Sequence, residues 1–127
     1  MESKNKQRTF LDSVKNCLDG IIYTFHHENN FKREIILGLL VIIASIVLKI
    51  NAVEWCIVLL LINFVLVCEL INTALEKTVD LYTQEYNKIG KVIKDAAGGA
   101  VLIMCISSSI LGAIIFLPKI INLIKHI

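Results

Sequence analysis

Residues 55–80 read WCIVLLLINFVLVCELINTALEKTVD, an apolar run that leads without a break into a polar one. The first part, residues 55–68, is uncharged and is interrupted only by Asn63. Neither part contains proline or glycine, so we expect one helix to continue through both. An apolar run that leads directly into Glu69 predicts a membrane-spanning helix with a polar extension beyond the bilayer.

Two further apolar runs flank this stretch. Residues 35–48 and residues 96–117 carry no charge, and the second of these runs ends at Pro118. A span needs about 17 to 25 apolar residues, which the first run approaches when Glu34 and Lys49 extend as snorkelling ends. The sequence therefore predicts an all-α integral membrane protein with three transmembrane helices, at about residues 34–50, 53–80 (including a cytoplasmic extension) and 94–117.

The N-terminal segment, at about residues 8–26, has the periodicity of an amphipathic helix. Apolar residues recur at helical spacing on one side, whereas Asp12, Lys15 and Asp19 occupy the other. A helix of this kind is expected to lie on the membrane surface. The polar sequence HHENN at residues 26–30 separates it from the first span.

The composition agrees with one membrane-embedded domain over residues 1–127. Apolar residues make up 56% and charged residues 19% of the chain, against about 45–50% and about 25% in soluble proteins. The formal net charge of +2 excludes a strongly basic nucleic-acid module, so we expect no nucleic-acid partner. The four cysteines form no CxxC pair and are expected to be reduced packing residues.

The lysines and arginines are distributed unevenly about the predicted spans. Ten of the 13 lie before the first span or between the second and third, against Lys49, Lys119 and Lys125. The positive-inside rule then predicts a cytoplasmic N-terminus. We expect a multi-pass protein of the bacterial cell membrane.

Polar residues from three segments are predicted to meet at the cytoplasmic interface. On a helix, Glu69, Asn72, Glu76 and Asp80 share an arc of about 80°. The topology brings further polar residues, those before the first and third spans, to the same depth: Glu28, Glu34, Lys94 and Asp95. Glu34 and Asp80 taken singly also fit solvated helix ends, whereas Glu69 directly after an apolar run favours a functional role.

These residue types suit phosphoryl transfer to a lipid. Carboxylates and a lysine, without cysteine ligands, fit Mg²⁺ and phosphate oxygens, and a desolvated carboxylate suits a general base. A small proton-coupled transporter fits the same residues. A structural, holin-like protein accounts for the spans but leaves the alignment of Glu69, Asn72 and Glu76 unexplained.

Glycines at 38, 98, 99 and 112 are predicted to be close helix-packing positions.

The pattern ExINTALExxVD at residues 69–80 resembles the signature of the small prokaryotic diacylglycerol kinase and undecaprenol kinase family. The resemblance continues in three further segments and covers essentially the whole chain: ENNFKRE at 28–34, EYN at 85–87 and KDAAGGAV at 94–101. It implies an ATP- and Mg²⁺-dependent lipid kinase that is a membrane homotrimer with active sites at subunit boundaries.

The resemblance also implies roles for individual residues. Glu69 would be the general base on the lipid hydroxyl. Glu28 and Glu76 would bind the divalent metal that bridges the ATP phosphates, and Lys94 would contact those phosphates. The remaining positions would help to hold the nucleotide or support the site: Glu85, Tyr86, Asn87 and Asp95 for the nucleotide, and Glu34, Asn72 and Gly98 for support.

Two lipid substrates remain open. Val53-Glu54-Trp55 and the run from Lys94 to Gly98 look more like Gram-positive members of the family, which phosphorylate undecaprenol. The Gram-negative diacylglycerol kinases share the catalytic signature, so that signature does not distinguish them. We expect undecaprenol, with diacylglycerol as the alternative.

Overall fold

The computed structural model describes residues 7–127, so Lys4 and Lys6, which entered the count of basic residues, lie outside the described part. Four helices follow one another along the chain: α1 (Phe10–His27), α2 (Asn29–Val47), α3 (Ala52–Tyr82) and α4 (Lys88–Lys125). No strand occurs in residues 7–127. The all-α class is therefore confirmed.

Helix α3 is the central element of the fold. It contacts α1, α2 and α4, whereas no Cα atom of α2 comes within 8 Å of α4 in the described chain. A small core forms toward the start of α3, where Ile50, Val58 and Ile115 are buried against one another. Gly38 allows α2 to approach α3 closely, since a Cβ there would lie 3.1 Å from Ile62 Cγ2.

Helix α1 begins at a capping box and keeps its apolar face uncovered. The Thr9 hydroxyl accepts from the Asp12 N–H, and the Asp12 carboxylate accepts from the Thr9 N–H. Phe10 at the start of the helix is 82% exposed, and Leu18 and Ile22 on the same side are exposed as well. The predicted amphipathic helix is present, with an apolar face that residues 7–127 do not cover.

The break between α1 and α2 is shorter than predicted. Glu28 is both the C-cap of α1 and the N-cap of α2, with extended φ and ψ of −114° and 112°. Residues 26–30 are therefore helical except at Glu28. This single extended residue changes the direction of the chain between α1 and α2. The Glu28 carboxylate therefore lies at the corner where the two helices meet.

The connection between α2 and α3 is a tight turn. Helix α2 ends at Val47 instead of continuing to residue 50, and Lys49 adopts a φ of 51°. That left-handed conformation is uncommon for residues other than glycine. Asn51 then begins α3 with a second capping box, in which it accepts from the Glu54 N–H.

Helix α4 does not end at Pro118. Proline lacks the N–H that would bond to the preceding turn, yet the helix continues to Lys125. Lys119 directly after it forms an ion pair with Glu54 of α3, at 3.1 Å between Nζ and Oε2. The predicted end of the span at residue 117 is therefore not the end of the helix.

Two helices in residues 7–127, α3 and α4, are long and apolar enough to cross a membrane. Most of their large apolar side chains are exposed, as expected for a surface in contact with lipid. Helix α2 carries Lys32, Arg33 and Glu34 in its first turns, so its apolar part is short. The third span over residues 34–50 stays a prediction.

Candidate active site

Glu69 lies at the centre of a group of carboxylates. It is 2% exposed although it directly follows the apolar run of α3. The charges of Glu28, at the α1–α2 corner, and Glu76, two turns further along α3, act on it. The structure thus places Glu28 and Glu76 close enough to Glu69 for their charges to interact with it.

Asn72 links this group to the next turn of α3. Its Nδ2 donates to Glu76 Oε1 at 3.3 Å. Its Oδ1 is buried and has no hydrogen-bond partner in residues 7–127. A buried amide oxygen of this kind is costly unless a ligand or ion satisfies it.

The donor set fits a divalent cation that is shared with a substrate. Carboxylate and amide oxygens are the ligands that Mg²⁺ prefers, and Mg²⁺ is usually held by one or two carboxylates plus substrate phosphates. Within residues 7–127, no group of three His, Cys, Asp or Glu side chains converges tightly enough to hold a metal by itself. A metal held by two protein carboxylates and by phosphate oxygens of the substrate is consistent with this ligand preference and with the lack of a third protein ligand.

Lys94 approaches this region from α4. Its Nζ donates to Asp80 Oδ1 at 2.7 Å, which joins the start of α4 to the end of α3. This hydrogen bond raises the pKa of Lys94, which precedes the apolar run that begins at Ala96. The ammonium therefore stays protonated at neutral pH, as a phosphate-binding cation must.

A polar cleft lies beside this ion pair, between the end of α3 and the start of α4. It holds about 360 Å³ and is lined by Asp80, Thr83, Glu85, Tyr86, Asn87, Lys91, Lys94 and Asp95 among others. The predicted nucleotide residues of the 85–87 stretch and of α4 thus share one cleft. Glu28 and Glu76 do not line it.

Individual side chains in the cleft differ in how they are held. Asn87 is the N-cap of α4, and its Oδ1 accepts from the Gly90 N–H at 2.9 Å. Tyr86 is 81% exposed. Asp95 is also exposed and pairs with Lys91 one turn earlier. Tyr86 and Asp95 are therefore open to solvent, and Asp80 and Asp95 each pair with a lysine of α4.

Glu34 lies on the other side of α3, at a groove between α2 and α4. The groove holds about 360 Å³, and its lining is mostly apolar: Glu34, Leu37, Gly38, Val58, Ile62, Cys105, Ser108 and Phe116 are among its residues. Glu34 Oε2 is buried without a hydrogen-bond partner in the described residues. The charge of Glu34 also interacts with that of Glu69. The groove therefore ends beside the group of carboxylates formed by Glu28, Glu69 and Glu76.

Gly98 has no close neighbour in the protomer. A Cβ at position 98, 99 or 112 would meet nothing within 4 Å in the described chain. The predicted close packing is therefore wrong for these three glycines within one protomer, although Gly112 lines the groove between α2 and α4. Gly38 fits the prediction.

The structure gives Asp80, which the sequence already placed among the clustered polar residues, a partner in Lys94, and it adds Lys91 to the predicted site residues. Asp80 follows Glu76 by one turn on the same helix face, and Lys91 precedes Asp95 by one turn. Helical spacing alone pairs Lys91 with Asp95. The pairing of Asp80 with Lys94 depends on how α3 packs against α4, which the spacing does not reveal.

Comparison with known proteins now identifies the family. The family model described as prokaryotic diacylglycerol kinase matches residues 15–116, which include all of these acids and both lysines. This chain belongs to the prokaryotic diacylglycerol kinase family. The resemblance seen in the signature at residues 69–80 is confirmed.

Individual members of the family support the same assignment. The chain is 37% identical over 118 residues to the undecaprenol kinase of Bacillus subtilis, covering 93% of this chain and 96% of that protein. It is also 37% identical over 114 residues to a diacylglycerol kinase of Synechocystis, covering 89% and 65%. A diacylglycerol kinase of Haemophilus influenzae is 28% identical over 107 residues, covering 84% and 91%. The chain is a lipid kinase of the membrane.

Proposed function

We propose that this lipid kinase transfers the γ-phosphoryl group of ATP, with Mg²⁺, to the hydroxyl of undecaprenol, forming undecaprenyl phosphate and releasing ADP. The observation that carries the proposal is the buried Glu69 carboxylate beside Glu28 and Glu76, at the end of an apolar run. A lipid hydroxyl reaches this depth from the membrane. ATP reaches it from the polar cleft beside Lys94.

Each residue then has a defined task. Glu69 accepts the proton of the lipid hydroxyl as that oxygen attacks the γ-phosphorus. Glu28 and Glu76 would hold the divalent metal, which would neutralise charge on the phosphates. Lys94 exchanges its contact with Asp80 for the phosphates, and the cleft residues Glu85, Tyr86, Asn87 and Asp95 hold the rest of the nucleotide. Asn72 orients Glu76 through the hydrogen bond between their side chains.

The groove between α2 and α4 supports a long lipid substrate. It is mostly apolar and ends at Glu34, whose charge interacts with that of Glu69. A polyisoprenoid chain in this groove would bring its terminal hydroxyl to the acidic group. Gly98 leaves open space on α4 within the protomer.

The membrane arrangement belongs to the proposal as well. We expect three spans with the N-terminus in the cytoplasm of a bacterial cell, because ten of the 13 lysines and arginines then lie inside. The site would lie at the cytoplasmic interface of the cell membrane. We expect a homotrimer, as the family resemblance implies, in which neighbouring subunits cover exposed parts of each cleft.

Undecaprenol is preferred to diacylglycerol because of the extent of one match. Identity does not distinguish the two, since it is 37% to the undecaprenol kinase and 37% to the Synechocystis diacylglycerol kinase. The match to the undecaprenol kinase covers 96% of that protein, compared with 65% of the other. Diacylglycerol is the second candidate because three further relatives carry that name.

The test is phosphate transfer from labelled ATP to undecaprenol and to diacylglycerol in matched micelles with Mg²⁺. Faster transfer to undecaprenol supports the proposal. Faster transfer to diacylglycerol would instead make diacylglycerol the preferred substrate. Proton flux in vesicles without transfer to either lipid would indicate a proton-coupled transporter instead. Glu69→Gln serves as the inactive reference.

A further inference from the structure

Thr73 lies one turn after Glu69 on the same face of α3 and has no assigned role. It is 4% exposed, and its Oγ1 has no hydrogen-bond partner in the described part of the chain. A buried hydroxyl without a partner destabilises the folded protein. Such a group is explained if a ligand, or a side chain that changes position, forms a hydrogen bond with it.

Other helical hydroxyls in this protein show what Thr73 does not do. Four of them donate to the carbonyl oxygen four residues earlier, at distances of 2.7 to 3.0 Å: Thr24, Ser45, Thr78 and Ser109. The corresponding acceptor for Thr73 is the Glu69 carbonyl, and that hydrogen bond is not formed in residues 7–127. The hydroxyl of Thr73 is therefore available to a side chain or a substrate.

Glu69 has the complementary deficiency. Glu69 is 2% exposed, and its carboxylate accepts none of the side-chain hydrogen bonds formed within residues 7–127, although its oxygens are not fully buried. Side chains four residues apart on a helix are neighbours, and Thr73 leans toward the turn that contains Glu69. An acceptor without a donor and a donor without an acceptor thus lie one turn apart. Glu76, the other nearby carboxylate of α3, already accepts from Asn72.

We propose that Thr73 is a positioning residue whose hydroxyl donates to the Glu69 carboxylate when both substrates are bound. The inference rests on the proposed role of Glu69 as the base. The hydrogen bond fixes the orientation of the carboxylate, so that one oxygen faces the lipid hydroxyl. It also offsets part of the repulsion from Glu28 and Glu76.

The experiment compares Thr73→Val, which keeps the shape and removes the hydroxyl, with Thr73→Ser, which keeps the hydroxyl. Thr78→Val is the matched control, because Thr78 is exposed on the same helix and bonds to Ala74. The kcat of transfer to the preferred lipid, the KM for ATP and the midpoint of thermal unfolding are measured in the same micelles.

We expect Thr73→Val to lower kcat by about 10- to 100-fold, the effect of one hydrogen bond to a charged group, with the KM for ATP nearly unchanged. Thermal stability should not fall, because the variant loses a buried hydroxyl that has no partner. Thr73→Ser should keep kcat within about threefold of wild type. Thr78→Val should match wild type in kcat.

Three results would overturn the inference while leaving the kinase proposal intact. They are an unchanged kcat in Thr73→Val, an equal loss in Thr73→Ser, and a kcat that falls together with thermal stability. A wild-type protein that transfers phosphate to neither lipid would overturn the proposed function first, and the inference with it.

Discussion

Lys94 of α4 donates a hydrogen bond to Asp80 of α3, with 2.7 Å between Nζ and Oδ1. Both side chains are partly exposed, so the pair adds little to stability by itself. Its importance is geometric. The pair holds a lysine at the edge of the polar cleft, where phosphates can replace Asp80 as its partner.

Lys94→Gln should therefore weaken ATP binding by about 10- to 100-fold, since a charge-assisted hydrogen bond to phosphate is lost. Asp80 raises the pKa of Lys94. The contribution of Lys94 is thus fully present below the ordinary lysine pKa of about 10.4 and is lost only as pH rises through the raised value. Titration calorimetry with MgATP at about pH 7 and about pH 9 should give the same ratio between variant and wild type.

Lys77→Gln is the control for this prediction. Lys77 is an exposed lysine of α3 with no ion pair in residues 7–127. Its loss should leave ATP affinity near the wild-type value. Equal effects of the two substitutions would mean that net charge, not the position of Lys94, attracts the nucleotide.

Glu69→Gln should remove phosphate transfer while MgATP binding remains. A general base contributes about 10²- to 10⁴-fold to the rate, and the amide cannot accept the proton. Loss of a buried charge beside Glu28 and Glu76 should leave the protein at least as stable as wild type. Labelled-phosphate transfer and nucleotide binding on one preparation test this, with Lys77→Gln at an exposed position of the same helix as the control. A matching loss of ATP affinity would contradict the role of a base.

Glu76→Gln should increase the Mg²⁺ concentration that gives half-maximal activity. We expect an increase of at least about 10-fold, because a carboxylate ligand of the metal is replaced by a neutral amide. The measurement is transfer rate against Mg²⁺ at saturating ATP. Unchanged metal dependence would remove Glu76 from the set of metal ligands.

Much of this arrangement follows from local sequence pattern. The continuity of α3, the amphipathic α1 and the shared face of Glu69, Asn72 and Glu76 depend on helical periodicity, which the sequence displays directly. The meeting of Glu28 with Glu69 was predicted because the topology brings both to one depth.

Other features depend on contacts between helices and escaped prediction. Pro118 marks the end of an uncharged run, but the helix continues beyond it, where Lys119 pairs with Glu54 of α3. The open side of Gly98 likewise depends on how α4 is rotated against α3. The hydroxyl of Thr73 shows no special pattern in sequence, since its significance is the absence of a partner in the described fold.

Glu54→Gln should lower stability at neutral pH but not in acid. The hydrogen bond from the Asn51 N–H, and then Lys119, lowers the pKa of Glu54, which precedes the apolar run. A lowered folded-state pKa contributes stability above the ordinary glutamate value of about 4.3 and loses it as pH falls through the lowered value. Thermal unfolding of variant and wild type should therefore differ at about pH 7 and converge in acid, once the pH is below the lowered pKa. Lys119→Gln should have the smaller effect, because the cap remains. A difference that persists in acid would assign the effect to packing.

Gly90→Ala should damage both the fold and nucleotide binding. Gly90 is buried where α4 meets α3, and a Cβ there would lie 2.9 Å from Val79 Cγ1. Val79 is buried and β-branched, so its side chain cannot rotate away freely, and overpacking of this kind costs about 1–3 kcal/mol. The shift would separate Asp80 and Lys94, which lie next to this contact along their helices.

Gly99→Ala is the matched substitution on the same helix, because a Cβ there meets nothing within 4 Å in residues 7–127. It should leave the stability of the protomer unchanged or raise it by up to about 1 kcal/mol through helix propensity. Chemical unfolding and MgATP titration of the two variants provide the comparison. If Gly90→Ala were as stable as Gly99→Ala and bound ATP equally well, close packing of α4 on Val79 would not be what holds Lys94 at the cleft.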